Sequence, residues 1–137
     1  MKLSKTSEYA LRILIFMAKQ PEALYTASQL VRELGVSDKY LRRLMTNLSK
    51  SGFIRSVQGR DGGYAFLKRT DEITLFDVVD SVEGMDQLNG CVLGFDQCSC
   101  TNPCAMHDTW SGVRDKLNLV FRETRLSNMD FDRIVKY

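Results

Sequence analysis

At 137 residues, 44% of them hydrophobic and 26% charged, with two prolines, the chain has the length of one ordinary globular domain; this composition excludes a collagenous or disordered protein. The net charge of +2 hides an asymmetry. Residues 37–69 carry eight lysines and arginines against Asp38 and Asp61, a local balance of +6, so about one quarter of the chain offers a basic surface suited to a polyanion.

The opening stretch MKLSKTSEYALRILIFMA has the basic start of a secretory signal, but Glu8 and Arg12 interrupt its apolar run and no small-residue cleavage site follows. It predicts a retained helix over roughly residues 4–19, with Leu11, Leu14, Ile15 and Ala18 as its buried stripe. Tyr9, Ile13, Phe16 and Met17 make most of the remaining surface apolar too. A helix greasy nearly all round needs cover on both sides, which points to a partner subunit as well as the chain's own core. No apolar run approaches the ~18 residues of a membrane span, so a cytoplasmic protein with no membrane association is expected.

In YTASQLVRELGVSDKYLRRLMTNLSKSG, Thr26 and Gln29 have the form of a capping box, and Ala27, Leu30, Val31 and Leu34 follow at helical spacing. Gly35-Val36 breaks that helix. Ser37 is an N-cap for the next, whose buried stripe is Leu41, Leu44, Met45 and Leu48 and whose stop is Gly52. Two amphipathic helices across a short turn form a helix-turn-helix. The second exposes Lys39, Arg42, Arg43, Thr46, Asn47 and Lys50, cations for phosphates and hydrogen-bonding groups for base edges. FIRSV (53–57) and YAFL (64–67) then flank QGRDGG, predicting a β-hairpin with Arg60 at its tip, the wing of a winged helix.

Thr74 caps a further helix with Leu75, Val78, Val79 and Val82 on one side and Gly84 at its end. Later, Trp110, Val113, Leu117, Val120 and Thr124 recur in steps of three and four, with Phe121 beside them. That seam on a long helix reads as a homodimer interface, or alternatively as a face docked on the chain's own domain. The expected fold is mainly α with a small β-hairpin wing: a winged helix-turn-helix DNA-binding domain over residues 1–70, then a sensor loop and dimerisation helix over 71–137. Ser127 to Tyr137 carries no readable pattern.

All four cysteines and the single histidine fall within residues 91–107, CVLGFDQCSCTNPCAMH. In a reducing compartment such a cluster points to metal or redox chemistry rather than to a disulfide staple. Six residues separate Cys91 from Cys98, one separates Cys98 from Cys100, three separate Cys100 from Cys104, and two separate Cys104 from His107. Structural zinc sites usually bring paired Cys-x-x-Cys knuckles, absent here. An irregular comb of thiolates is equally able to wrap an iron-sulfur cluster. Asn102 and Pro103 have the form of N-cap and first position of the long helix, placing Cys104 in its first turn, where the helix dipole would favour its thiolate, and His107 one turn on. No nucleophile beside a base and no phosphate-cradling loop marks an enzyme, and no small-molecule substrate is expected.

SEYALR, SDKYLRRLMTNLSKSGFIRSVQGRDGGY, ITLFDVVDSVEG and the cysteines before the long helix together resemble, over nearly the whole chain, the winged-helix bacterial transcription regulators that include IscR and NsrR. The resemblance implies a homodimer crossed through its long helices, a palindromic double-stranded operator, and a cluster in each subunit that reports redox state, nitric oxide or iron-sulfur supply. Carried over by position, the ligands are Cys91, Cys98, Cys104 and His107, with Cys100 and the partner's Glu8 as further candidates. A two-iron (2Fe-2S) cluster is favoured, with a four-iron (4Fe-4S) one as the alternative. The implied DNA contacts are Ser37, Lys39, Tyr40, Arg42, Arg43, Thr46 and Asn47 on the helix, and Arg55, Gln58, Gly59, Arg60, Gly62 and Gly63 on the wing. Three features depart from the family pattern: a first cysteine interval longer by one, the extra thiol Cys100, and Gln58 where an arginine often reads the minor groove. Two rival readings are a zinc-stabilised or cluster-free regulator and an iron-sulfur electron-transfer protein.

Overall fold

A computed structural model describes residues 2–129 and 133. The first helix, α1, runs Lys5–Met17, capped by the Ser4 side chain, which accepts from the Ser7 amide. Its buried face is Ala10, Ile13, Leu14 and Met17, rotated from the stripe the spacing predicted. From Tyr9 to Met17 only Arg12 is charged, so periodicity alone poorly identifies the face that docks. The helix is covered on two sides within the chain. Ile13, Leu14 and Met17 join the core of the next two helices, while Leu11 also packs on a second cluster around Val79, Met85 and Phe121.

The helix α2, Ala27–Leu34, starts at the predicted capping box and ends at Gly35, whose φ of 68° supplies the left-handed turn. The helix α3, Asp38–Lys50, is capped by Ser37 and buries Leu41, Leu44, Met45 and Leu48 as predicted. Strands β1 (Ile54–Val57) and β2 (Gly63–Phe66) pair antiparallel with Ile54 opposite Phe66 and Val57 opposite Gly63. Tyr25 extends this hairpin by a bridge to Tyr64, with N–H···O distances of 2.9 and 2.7 Å in the two directions. The bridge fixes the wing to the chain entering α2, and the Tyr25 hydroxyl donates to the Met17 carbonyl at 3.0 Å, tying that same point to α1.

A 3-10 turn at Thr70–Glu72 leads to α4, Leu75–Val82, which opens on a second capping box, Thr74 with Asp77. A short helix, α5 (Asp86–Asn89), follows; four residues are too few for a sequence period to announce. After the cysteine loop the long helix α6 spans His107–Glu123. Its end returns to the start of α4: Leu75 N–H donates to Thr124 O at 2.9 Å and Leu126 N–H to Ile73 O at 3.0 Å. Ile73, Val78 and Leu126 thereby join the same core cluster as α1 to α3. Phe121 and Leu117 pack against Val79 and Met85, whereas Val113 and Val120 of the predicted seam stay 53% and 49% exposed. No helix among the described residues is long and apolar enough to cross a membrane. Residues 130–132 and 134–137 of the tail lie outside the described residues.

Candidate thiol metal centre and nucleic-acid interface

The loop between α5 and α6 folds back on itself so that three thiols converge. The sulfurs of Cys91, Cys98 and Cys104 all lie within 4.8 Å of one another, those of Cys91 and Cys104 at 3.6 Å. His107 Nδ1 stands 3.2 Å from Cys98 Sγ. Together they line a cavity of 350 Å³ that is also bordered by Trp110 and Arg114. Cys100 is exposed on the loop and outside the thiol group. Glu8 lies on α1 in an ion pair with Lys5 at 2.8 Å, which holds its carboxyl below the ordinary range.

The start of the long helix differs from the sequence expectation. Asn102 and Pro103 do not open it, because Ser99 and Asn102 exchange backbone hydrogen bonds (3.2 and 3.1 Å) and close residues 99–102 into a turn. A separate turn, His107 N–H to Cys104 O at 3.1 Å, brings the chain into α6, so Cys104 precedes the helix and His107 begins it. With Cys104 outside the first turn, it also does not become the favoured thiolate. Partial burial pushes its thiol up, and the adjoining thiols add to this. Cys91 is the acidic one: the Phe95 amide, aided by that of Leu93, donates to its sulfur and brings its pKa to about 7.

Three donors from one row of α6 grip the chain just before Cys91. Trp110 Nε1 donates to Gly90 O at 2.8 Å, Arg114 Nη1 to Asn89 O at 3.0 Å, and Asn118 Nδ2 to Asn89 Oδ1 at 2.7 Å. Sequence reading placed Trp110 in an apolar seam and passed over Arg114 and Asn118; their i, i+4, i+8 spacing was the available signal.

The helix α3 and the wing face each other across a groove of 570 Å³ bordered by Arg42, Thr46, Lys50, Gln58, Gly62 and Gly63. Lys39, Arg43, Asn47, Arg55, Gly59 and Arg60 are exposed, Gly59 and Arg60 at the wing tip. Arg42 pairs with Asp38 at 2.7 Å, and the Thr46 hydroxyl donates to Arg42 O at 2.8 Å. Gln58 Nε2 donates to Ser56 Oγ at 3.3 Å. Tyr40 is half-buried, its ring edge-on to Tyr9 at 5.7 Å, and Ser37 is occupied as the cap of α3. Gly62 and Gly63 have a structural reason to be glycine: a Cβ would sit 2.1 Å from Val57 O in the first case and 2.4 Å from Tyr25 O in the second.

Residues 3–130 match the family Rrf2, iron-dependent transcriptional regulator. The protein aau3 of Rhizobium meliloti (strain 1021) is 31% identical over 137 residues, covering 99% of this chain and 86% of its own. Among solved structures, CymR, the global cysteine regulator of B. subtilis, superposes with a TM-score of 0.77 at 25% identity, covering 93% of this chain and 95% of its own. The IscR of T. potens shares the fold, with a TM-score of 0.72 at 23% identity over 100% of this chain and 94% of its own.

Proposed function

Since the chain belongs to the Rrf2 family of transcriptional regulators, we propose that it is a homodimeric DNA-binding regulator whose thiol loop holds an iron-sulfur cluster and thereby senses redox, nitric-oxide or iron-sulfur status. The observation that carries this reading is the convergence of Cys91, Cys98 and Cys104 within 4.8 Å, with His107 beside Cys98. Three thiols and an imidazole are soft and borderline donors, a set that fits iron-sulfur chemistry or zinc and not a hard cation such as calcium or magnesium. A 2Fe-2S cluster, which accepts histidine among its ligands, suits this set best. When bound, such a cluster supplies one-electron chemistry and a charge that changes with its state.

The chain's own residues do the rest. Cys91 gives up its proton more readily than Cys104, and His107 orients toward Cys98 from the first position of α6. The same helix presents Val113 and Val120 to a second copy, so the loop and the dimer seam share one rigid element. In the dimer, two α3 helices enter successive major grooves about 34 Å apart, with Lys39, Arg43 and Asn47 facing the duplex and Arg55 and Arg60 reaching phosphates or the minor groove from the wing. A shift of α6 relative to α4 changes the spacing of the two α3 helices, which is how the state of the loop reaches the operator.

The same donor set supports a second reading, a zinc-stabilised regulator. Cys91 and Cys104 are 3.6 Å apart, close to the ~3.8 Å that separates two thiolates on a tetrahedral zinc with ~2.3 Å bonds. Purification without oxygen separates the two. The cluster form is brown, absorbs visible light and contains iron with acid-labile sulfide, all lost when Cys91, Cys98 and Cys104 are replaced by alanine. A colourless protein with one zinc per chain establishes the second reading instead.

A further inference from the structure

The thiol ligands are not held alike. Cys104 lies three residues before α6 and its carbonyl is bonded by the His107 amide, while Cys98 is fixed by the His107 ring. Both therefore move with the start of α6. Cys91 comes from the opposite side, out of α5, and the residues after it, Val92 to Gln97, are exposed. Among the described residues, what joins the chain before Cys91 to α6 by hydrogen bonds is the row Trp110, Arg114 and Asn118. The first two satisfy carbonyls at the C-terminal end of α5, a one-turn helix whose carbonyls have no partners within it. The third fixes the Asn89 side chain.

We propose that Trp110, Arg114 and Asn118 are positioning residues that clamp Asn89–Gly90 to α6 and so hold Cys91 within reach of a thiophilic metal shared with Cys98 and Cys104. The metal part of this claim rests on the thiol loop being a metal centre; the clamping of Cys91 does not. The indole, guanidinium and carboxamide act on the backbone leading into a ligand rather than on the ligand itself. Without them the strand before Cys91 is free to part from α6, and the site falls to two thiols and the imidazole.

The test uses the full-length, reduced, metal-free chain without oxygen, titrated with cobalt(II), whose thiolate charge-transfer absorption scales with the number of coordinated thiolates. Trp110→Phe removes the indole donor and keeps the ring; Arg114→Met removes the guanidinium and keeps the length. Each variant is expected to bind cobalt about tenfold more weakly and to show the absorption per cobalt of two thiolates in place of three. In a Cys91→Ser background, adding Trp110→Phe is expected to cost nothing further, because its effect acts through Cys91. Equal weakening in both backgrounds, or an unchanged three-thiolate intensity, overturns the proposal.

Alkylation of each cysteine by iodoacetamide in the metal-free chain, read by mass spectrometry, decides the positioning claim without any metal. The variants are expected to change the rate at Cys91 by about threefold or more, with a smaller change at the adjoining Cys104 and none at Cys100, which lies outside the thiol group; a uniform change, or none, overturns it. A wild-type chain that binds no cobalt contradicts the metal centre, while the alkylation result still decides the role of the row.

Discussion

Replacing Gly63 by alanine tests how the wing is held. Gly63 has φ of 154°, and a Cβ there would lie 2.4 Å from the Tyr25 carbonyl oxygen, a backbone atom that cannot swing aside. Relief requires β2 to move away from Tyr25, which breaks the two hydrogen bonds of the Tyr25–Tyr64 bridge, now 2.9 and 2.7 Å. Each is worth ~1 kcal/mol net, and more where a buried group is left without a partner; an unfavourable backbone conformation adds ~1–3 kcal/mol. The sum, about 3–5 kcal/mol, is a large share of the ~5–15 kcal/mol that holds a domain together. Gly59→Ala is the control: Gly59 has φ of 104° but nothing within 4 Å of an added Cβ, so it bears only the conformational cost, ~1–3 kcal/mol. Thermal unfolding followed by circular dichroism should place the Gly63→Ala midpoint well below that of Gly59→Ala. Coincident midpoints would refute the account of how the wing is anchored.

Other outcomes follow from the same geometry. Val113→Glu together with Val120→Glu places charge on the exposed ridge of α6, and sedimentation should then show a monomer that keeps its helical content; an unchanged dimer contradicts the assigned seam. Arg43→Ala should weaken duplex binding across sequences and lower the slope of log affinity against log salt by about 1, as read by fluorescence anisotropy. In the metal-free chain, alkylation of Cys91 should rise with pH through about 7, where its thiol ionises, while Cys104, pushed up by partial burial, should react only at higher pH. Reversed order at these two sites in mass-spectrometric rate profiles would contradict the hydrogen-bonding assigned to Cys91.

The helix-turn-helix and hairpin were legible because their signals are local. Thr26 with Gln29, Ser37 before α3, and the Leu41, Leu44, Met45, Leu48 stripe each depend on neighbours within a turn or two. The docking face of α1 was not legible, since a helix apolar at most positions carries little periodic information and its neighbours in space are α2, α3 and α4. The start of α6 misled for a different reason. Asn102-Pro103 has the chemistry of a helix opening, but Asn102 is used in a two-way bridge with Ser99, a competition that only the folded loop reveals. The gathering of thiols was visible as composition. Their unequal acidity was not, because it comes from the amides of Phe95 and Leu93, and backbone direction inside an irregular loop has no sequence signature.

In the proposed function a metal-thiolate centre at Cys91, Cys98 and Cys104 governs grip on DNA. The most direct measurement is duplex affinity, for an operator recovered by selection from genomic fragments, of the oxygen-free purified protein before and after stripping of its metal. Affinity for that operator is expected to change by tenfold or more, ~1.4 kcal/mol, and the Cys91→Ala, Cys98→Ala, Cys104→Ala variant to behave as the stripped protein does. Equal affinity in all three preparations would contradict it.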